Sequence, residues 1–107
     1  MSGAVLDDIL KKTIDRITSV TQARQIFLFG STARGMQHEN SDIDLMVVVP
    51  SGVHRRKTAQ NIYRNLIGLG FAVDIVVVTE DDVEKYRDND ALVIRRALAE
   101  GRLIHAA

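Results

Sequence analysis

The sequence has no cysteine and no tryptophan, a single proline, and no excess of either charge. Without cysteine there can be no disulfide, no thiolate nucleophile and no thiolate zinc site. A cysteine-free chain suits a reducing compartment, and a cytoplasmic location is expected. The three histidines, His38, His54 and His105, are scattered and make no metal-ligand spacing. Fourteen Lys and Arg balance fourteen Asp and Glu, so composition gives no support for direct nucleic-acid binding through bulk charge. The one basic run, His54-Arg55-Arg56-Lys57, has no aromatic residue interleaved for base stacking, and a solvated charge run explains it. No apolar run approaches the roughly 20 residues of a membrane span. The N-terminal residues carry early acids where a signal peptide would carry basic ones, so no membrane association is expected.

What is present is an ordinary globular composition, 46% hydrophobic and 26% charged over 107 residues. One domain spanning 1–107 is expected, with no internal repeat or linker. It is short for an enzyme that also carries a domain to recognise its substrate, so whatever its site acts on should arrive from outside. Leu6, Ile9, Leu10, Ile14 and Ile17 recur at helical steps and predict an amphipathic helix over 5–19. Three apolar runs, 26–29, 42–49 and 71–78, read as strands. Between the second and third, Ala59, Ile62, Tyr63, Leu66 and Ile67 form one stripe and predict a helix over 54–69, ended by Gly68 and Gly70. Thr79 with Asp82 resembles a cap for a short helix. A last helix would begin at Asp88 or Asp90 and end at Gly101, with Leu103-Ile104 as a short edge strand. The order implies an α+β fold, a small mixed or antiparallel sheet with helices largely on one side and an edge or face left open. An open edge suits self-association or the docking of a partner.

The chemistry concentrates between Phe29 and Leu45. Asp42 and Asp44 flank Ile43 at the start of an apolar strand, so both carboxylates project from one sheet face. Such a pair can converge on one divalent cation or on two about 3.5–4 Å apart. Asp74 is the one charge within the third apolar run; a carboxylate there needs a cation or an exposed position. Gly30-Ser31, after a strand, can offer backbone N–H groups and a hydroxyl to phosphate, and Arg34 can grip a phosphate or sit at the surface. Gly30 and Gly35 have P-loop spacing, but Met36 and Gln37 stand where Lys and Ser or Thr are required, which excludes a Walker-type ATPase.

Together, Gly30-Ser31, Gly35, the Asp42-Ile43-Asp44 pair within Ser41 to Leu45, and the later Asp74 resemble the nucleotidyltransferase superfamily typified by DNA polymerase beta. The resemblance is to its stand-alone minimal nucleotidyltransferase (MNT) branch and runs over nearly the whole chain. It implies a polymerase beta-like core and transfer of a nucleoside monophosphate, AMP from ATP, to a hydroxyl with release of pyrophosphate. It also implies two Mg²⁺ ions held by Asp42, Asp44 and Asp74, and a nucleotide bound by Gly30, Ser31, Arg34, Gly35 and Ser41. Similar domains act as antitoxins that add AMP to a HEPN-family partner protein. Two alternatives stand beside that reading. One is a non-catalytic antitoxin that neutralises its partner by contact; the other is the same chemistry on an RNA end or a small molecule.

Overall fold

The computed structural model describes residues 3–29, 43–70, 72–87 and 93–107. The elements are α1 (Gly3–Thr18), β1 (Gln25–Phe29), β2 (Ile43–Val49), α2 (Arg55–Asn65), β3 (Val73–Thr79), α3 (Glu80–Tyr86), α4 (Val93–Glu100) and β4 (Arg102–Ala106). The strands form one sheet in the order β3-β2-β1-β4. β1 runs antiparallel to both β2 and β4, whereas β2 and β3 are parallel. The parallel pair follows from connectivity, because a helix lies between those two strands and carries the chain back to the starting end. The class is therefore α+β with a mixed sheet.

β2 lies inside the sheet and is buried at Ile43 and from Leu45 through Val49, with only Asp44 half-exposed. Its unbroken apolar run is what a strand needs when both of its faces are covered. On one face, Ile26, Leu28, Ile43, Leu45 and Val47 pack with Leu10 and Ile17 of α1 and Ile62 of α2. The other face is not bare. Phe27, Met46, Val48 and Val78 pack there against Val83 of α3 and against Ile94 and Ala97 of α4. The two long helices thus share one face, as expected, while the two short ones cover part of the other.

α2 stops at Asn65 and not at Leu69. The cause is a polar clasp between the ends of α1 and α2 that periodicity cannot register. The Asn65 amide donates to the Arg16 carbonyl at 2.7 Å and the Ser19 hydroxyl at 2.9 Å. Arg16 in turn donates to the Ile67 carbonyl at 3.1 Å, supplying a partner to a group just beyond the helix end. The chain then turns through Gly68 and Gly70, whose φ values of +86° and +79° suit glycine. Beyond the helix end Ile67 leaves the core, 78% exposed, and Tyr63, still within the helix, is 43% exposed. Tyr63 lies beside the β3 edge, its hydroxyl accepting from the Ile75 N–H at 2.8 Å.

α3 begins with a capping box. The Asp82 N–H donates to Thr79 Oγ1 and the Thr79 N–H donates to Asp82 Oδ2, both at 3.1 Å. β4 extends the expected 103–104 edge strand to five residues. The proposed helical turn over 31–35, the connector over 36–41, and the Asp88 or Asp90 cap lie outside the described residues.

Candidate functional site

Asp44 is the second residue of β2 and Asp74 the second residue of β3, and the parallel register places them directly opposite one another. Neighbouring strands lie about 4.8 Å apart, and in-register residues project from the same face. That face is the one on which Met46, Val48 and Val78 pack beneath α3 and α4. The two carboxylates sit at the end of the sheet where β2 and β3 begin, away from α3, which starts at the far end of β3. Their exposure differs: Asp44 is half-buried and Asp74 is exposed. Asp74 therefore lies where solvent or a second molecule can reach it. For Asp74 the cost of a charge in an apolar run is met by exposure to solvent, while its neighbour Ile75 turns into the core.

On the other flank of β2, Phe29 is in register with Asp44. It is partly buried against the second core cluster. Phe29, Asp44 and Asp74 thus form a row across three strands: an aromatic wall, a half-buried acid and an open acid. Nothing in the pattern of apolar residues singles out Phe29, since it is simply the last of four; only the register makes it a neighbour of the carboxylates. The Ile43 N–H donates to the Ala72 carbonyl at 3.1 Å and locks the beginning of β2 to the residue before β3. That bond holds the two strands level where the acids sit.

Gly30, Ser31, Arg34, Gly35, Ser41 and Asp42 lie outside the described residues. Connectivity nevertheless fixes where their segment departs and returns: the chain leaves β1 after Phe29 and enters β2 at Ile43, both at the carboxylate end. Among the described residues, no group of three His, Cys, Asp or Glu side chains could hold a metal ion. Asp44 and Asp74 supply two carboxylate groups. A hollow lined by Thr18, Gln22, Arg24 and His105 lies at the opposite end of the sheet, where β1 starts and β4 ends, and is unconnected with the acids. No described helix is long and apolar enough to cross a membrane.

Residues 8–104 match the family model of the nucleotidyltransferase domain. Among solved structures, a toxin–antitoxin crystal structure with AMP-PNP aligns with a TM-score of 0.64 and 25% identity, over 91% of this chain and 73% of the other. A Sulfolobus solfataricus structure described as a nucleotidyltransferase aligns with a TM-score of 0.64 and 22% identity, over 92% and 78% of the two chains. A mutant of the toxin–antitoxin MntA-HpeT aligns with a TM-score of 0.61 and 22% identity, over 91% and 72%. The last two likenesses speak for the fold. No curated protein matches the sequence significantly.

Proposed function

The chain belongs to the nucleotidyltransferase domain family, and on that premise we propose that it transfers AMP from ATP to a hydroxyl of a partner protein, using Asp42, Asp44 and Asp74 to hold Mg²⁺. The observation that carries this reading is the register of Asp44 against Asp74 on adjacent strands. The donor set fits the ion: these are hard oxygen ligands at a partly open position, and Mg²⁺ prefers a few carboxylates completed by substrate phosphates to an all-protein cage. Asp42, two residues before Asp44 in the chain, is the third donor. When bound, the metal neutralises phosphate charge and lowers the pKa of the acceptor hydroxyl.

The rest is the work of the chain's own residues. Gly30 and Ser31 offer N–H and hydroxyl donors to the terminal phosphates, and Arg34, Gly35 and Ser41 complete that phosphate contact. Asp74, the exposed acid, faces the acceptor and takes the proton as the hydroxyl oxygen bonds to the α-phosphorus and pyrophosphate departs. The half-buried Asp44, with Phe29 on its other flank, holds its orientation. The partner is a toxin of the HEPN family; the likeness to a toxin–antitoxin structure with AMP-PNP supports both the nucleotide and the kind of partner.

The test is transfer of label from α-labelled nucleoside triphosphates, with Mg²⁺, to the product of the neighbouring gene, followed by intact mass. One or more AMP units on that protein, lost in Asp44→Asn and reduced about 10²–10⁴-fold in Asp74→Asn, is the expected result. Both variants should keep the circular dichroism of the parent. No transfer from any triphosphate, with toxin still neutralised by both variants, overturns the catalytic reading in favour of neutralisation by contact.

A further inference from the structure

Among the described residues the sheet has two edges, β3 and β4. An edge strand presents a row of backbone donors and acceptors that can recruit another strand unless something covers them. The β3 edge is covered. The Tyr63 hydroxyl takes the Ile75 N–H, the Asp82 carboxylate takes the Thr79 N–H, and α2 packs alongside. Among the described residues, no side chain hydrogen-bonds to the backbone of β4 in this way. Its sequence, Arg-Leu-Ile-His-Ala, contains neither proline nor an acidic residue. Arg102, Leu103 and Ala106 are exposed, Leu103 at 47%.

The pairing of β4 with β1 has one irregularity. His105 is opposite Ile26 and Leu103 opposite Phe27, so Ile104 is an extra residue, a bulge. Ile104 packs against the core cluster that contains Ile26 and α1, whereas Leu103 pairs with Phe27, which belongs to the other cluster. The bulge thus commits Ile104 to the interior and leaves Leu103 at the rim.

We infer that a second copy of this chain adds its own β4 antiparallel to this one, continuing the sheet across a two-fold axis. Self-complementarity argues for that occupant. Arg102 is the only permanently charged residue of the strand. Any two-fold centred within the strand beyond Arg102 keeps the two guanidinium groups from standing opposite each other. The groove between α1 and β4 is bordered by Asp7 and Lys11 as well as by Leu103. Asp7 and Lys11 are exposed and one helical turn apart. Placing that axis level with the turn between Asp7 and Lys11, which line the hollow beside Arg102 and Leu103, would set Asp7 of each copy toward Lys11 of the other. Acid-then-base along a helix rim is complementary to itself under that operation, and each copy contributes the same patch.

Sedimentation velocity of the full chain over a range of concentrations tests the inference. The expected result is a monomer–dimer equilibrium that Leu103→Lys shifts to monomer. Lys11→Glu should weaken the dimer on the order of tenfold, and adding Asp7→Lys to it should restore the affinity. All of these positions are exposed, so the circular dichroism of each variant should match the parent. A chain that stays monomeric at every concentration overturns the inference, as does a dimer untouched by Leu103→Lys. A dimer that Leu103→Lys dissolves but the double charge reversal fails to restore overturns the two-fold arrangement.

Discussion

At the scale of single residues, the acids of this chain divide by what surrounds them. Asp74 stands exposed at the start of a strand with Asp44 beside it, available for a cation or a proton. Asp82 has an architectural part. Burial raises its pKa, but the hydrogen bond from the Thr79 backbone, the charge of Arg55 at 2.9 Å and the Thr79 hydroxyl outweigh that and hold it below its ordinary value of 3.8. A carboxyl whose pKa is lowered by folding contributes stability above its unfolded pKa and loses it as pH falls through the folded one. The melting temperature of the parent should therefore exceed that of Asp82→Asn at neutral pH. The gap should begin to narrow as pH falls to the ordinary carboxyl range of about 4 and close only as pH passes below the lowered folded pKa; thermal melts of both proteins from about pH 7 downward measure it. Gly101 illustrates another residue-scale constraint. A Cβ there would collide with the Ala97 carbonyl and meet that of Leu28 at 3.0 Å, so the passage from α4 into β4 admits glycine alone.

At the scale of elements, side chains finish what the backbone leaves open. The Asn65 and Arg16 clasp joins the ends of α1 and α2, and Tyr63 completes the outer edge of β3. Tyr63→Phe removes the hydroxyl without removing the ring. It should cost ~1 kcal/mol locally and speed hydrogen exchange of the Ile75 amide about fivefold, with distant amides unchanged; exchange followed by NMR reads this directly. A cap for α3 was legible in the sequence because Thr79 and Asp82 are three residues apart, and the structure makes it a reciprocal box. The clasp was not, because its partners are 49 residues apart. A stripe of Tyr63, Leu66 and Ile67 could not reveal that the helix ends within it, since the groups that end it come from α1.

At the scale of the whole molecule, a four-stranded sheet with helices on both faces brings the beginnings of β2 and β3 together at one end. A ligand that binds only the folded state should stabilise it by mass action, by about 2.7 kcal/mol at a hundredfold excess over its dissociation constant. ATP with Mg²⁺ should accordingly raise the melting temperature by several degrees. Removing Mg²⁺ with a chelator, or changing Asp44 to Asn, should abolish the rise, as differential scanning calorimetry would record. The sequence by itself determined the strands, the amphipathic helices, the short cap of α3 and the family. Each of these is written in residues close together along the chain, as periodicity, as a three-residue spacing, or as the Gly-Ser and Asp-x-Asp motif. Only the tertiary structure decided that Asp74 stands level with Asp44, that Phe29 walls the same row, and that Tyr63 and Asp82 take backbone N–H groups of β3. Those facts depend on register and strand order, which arise when segments distant in sequence pack over a common core.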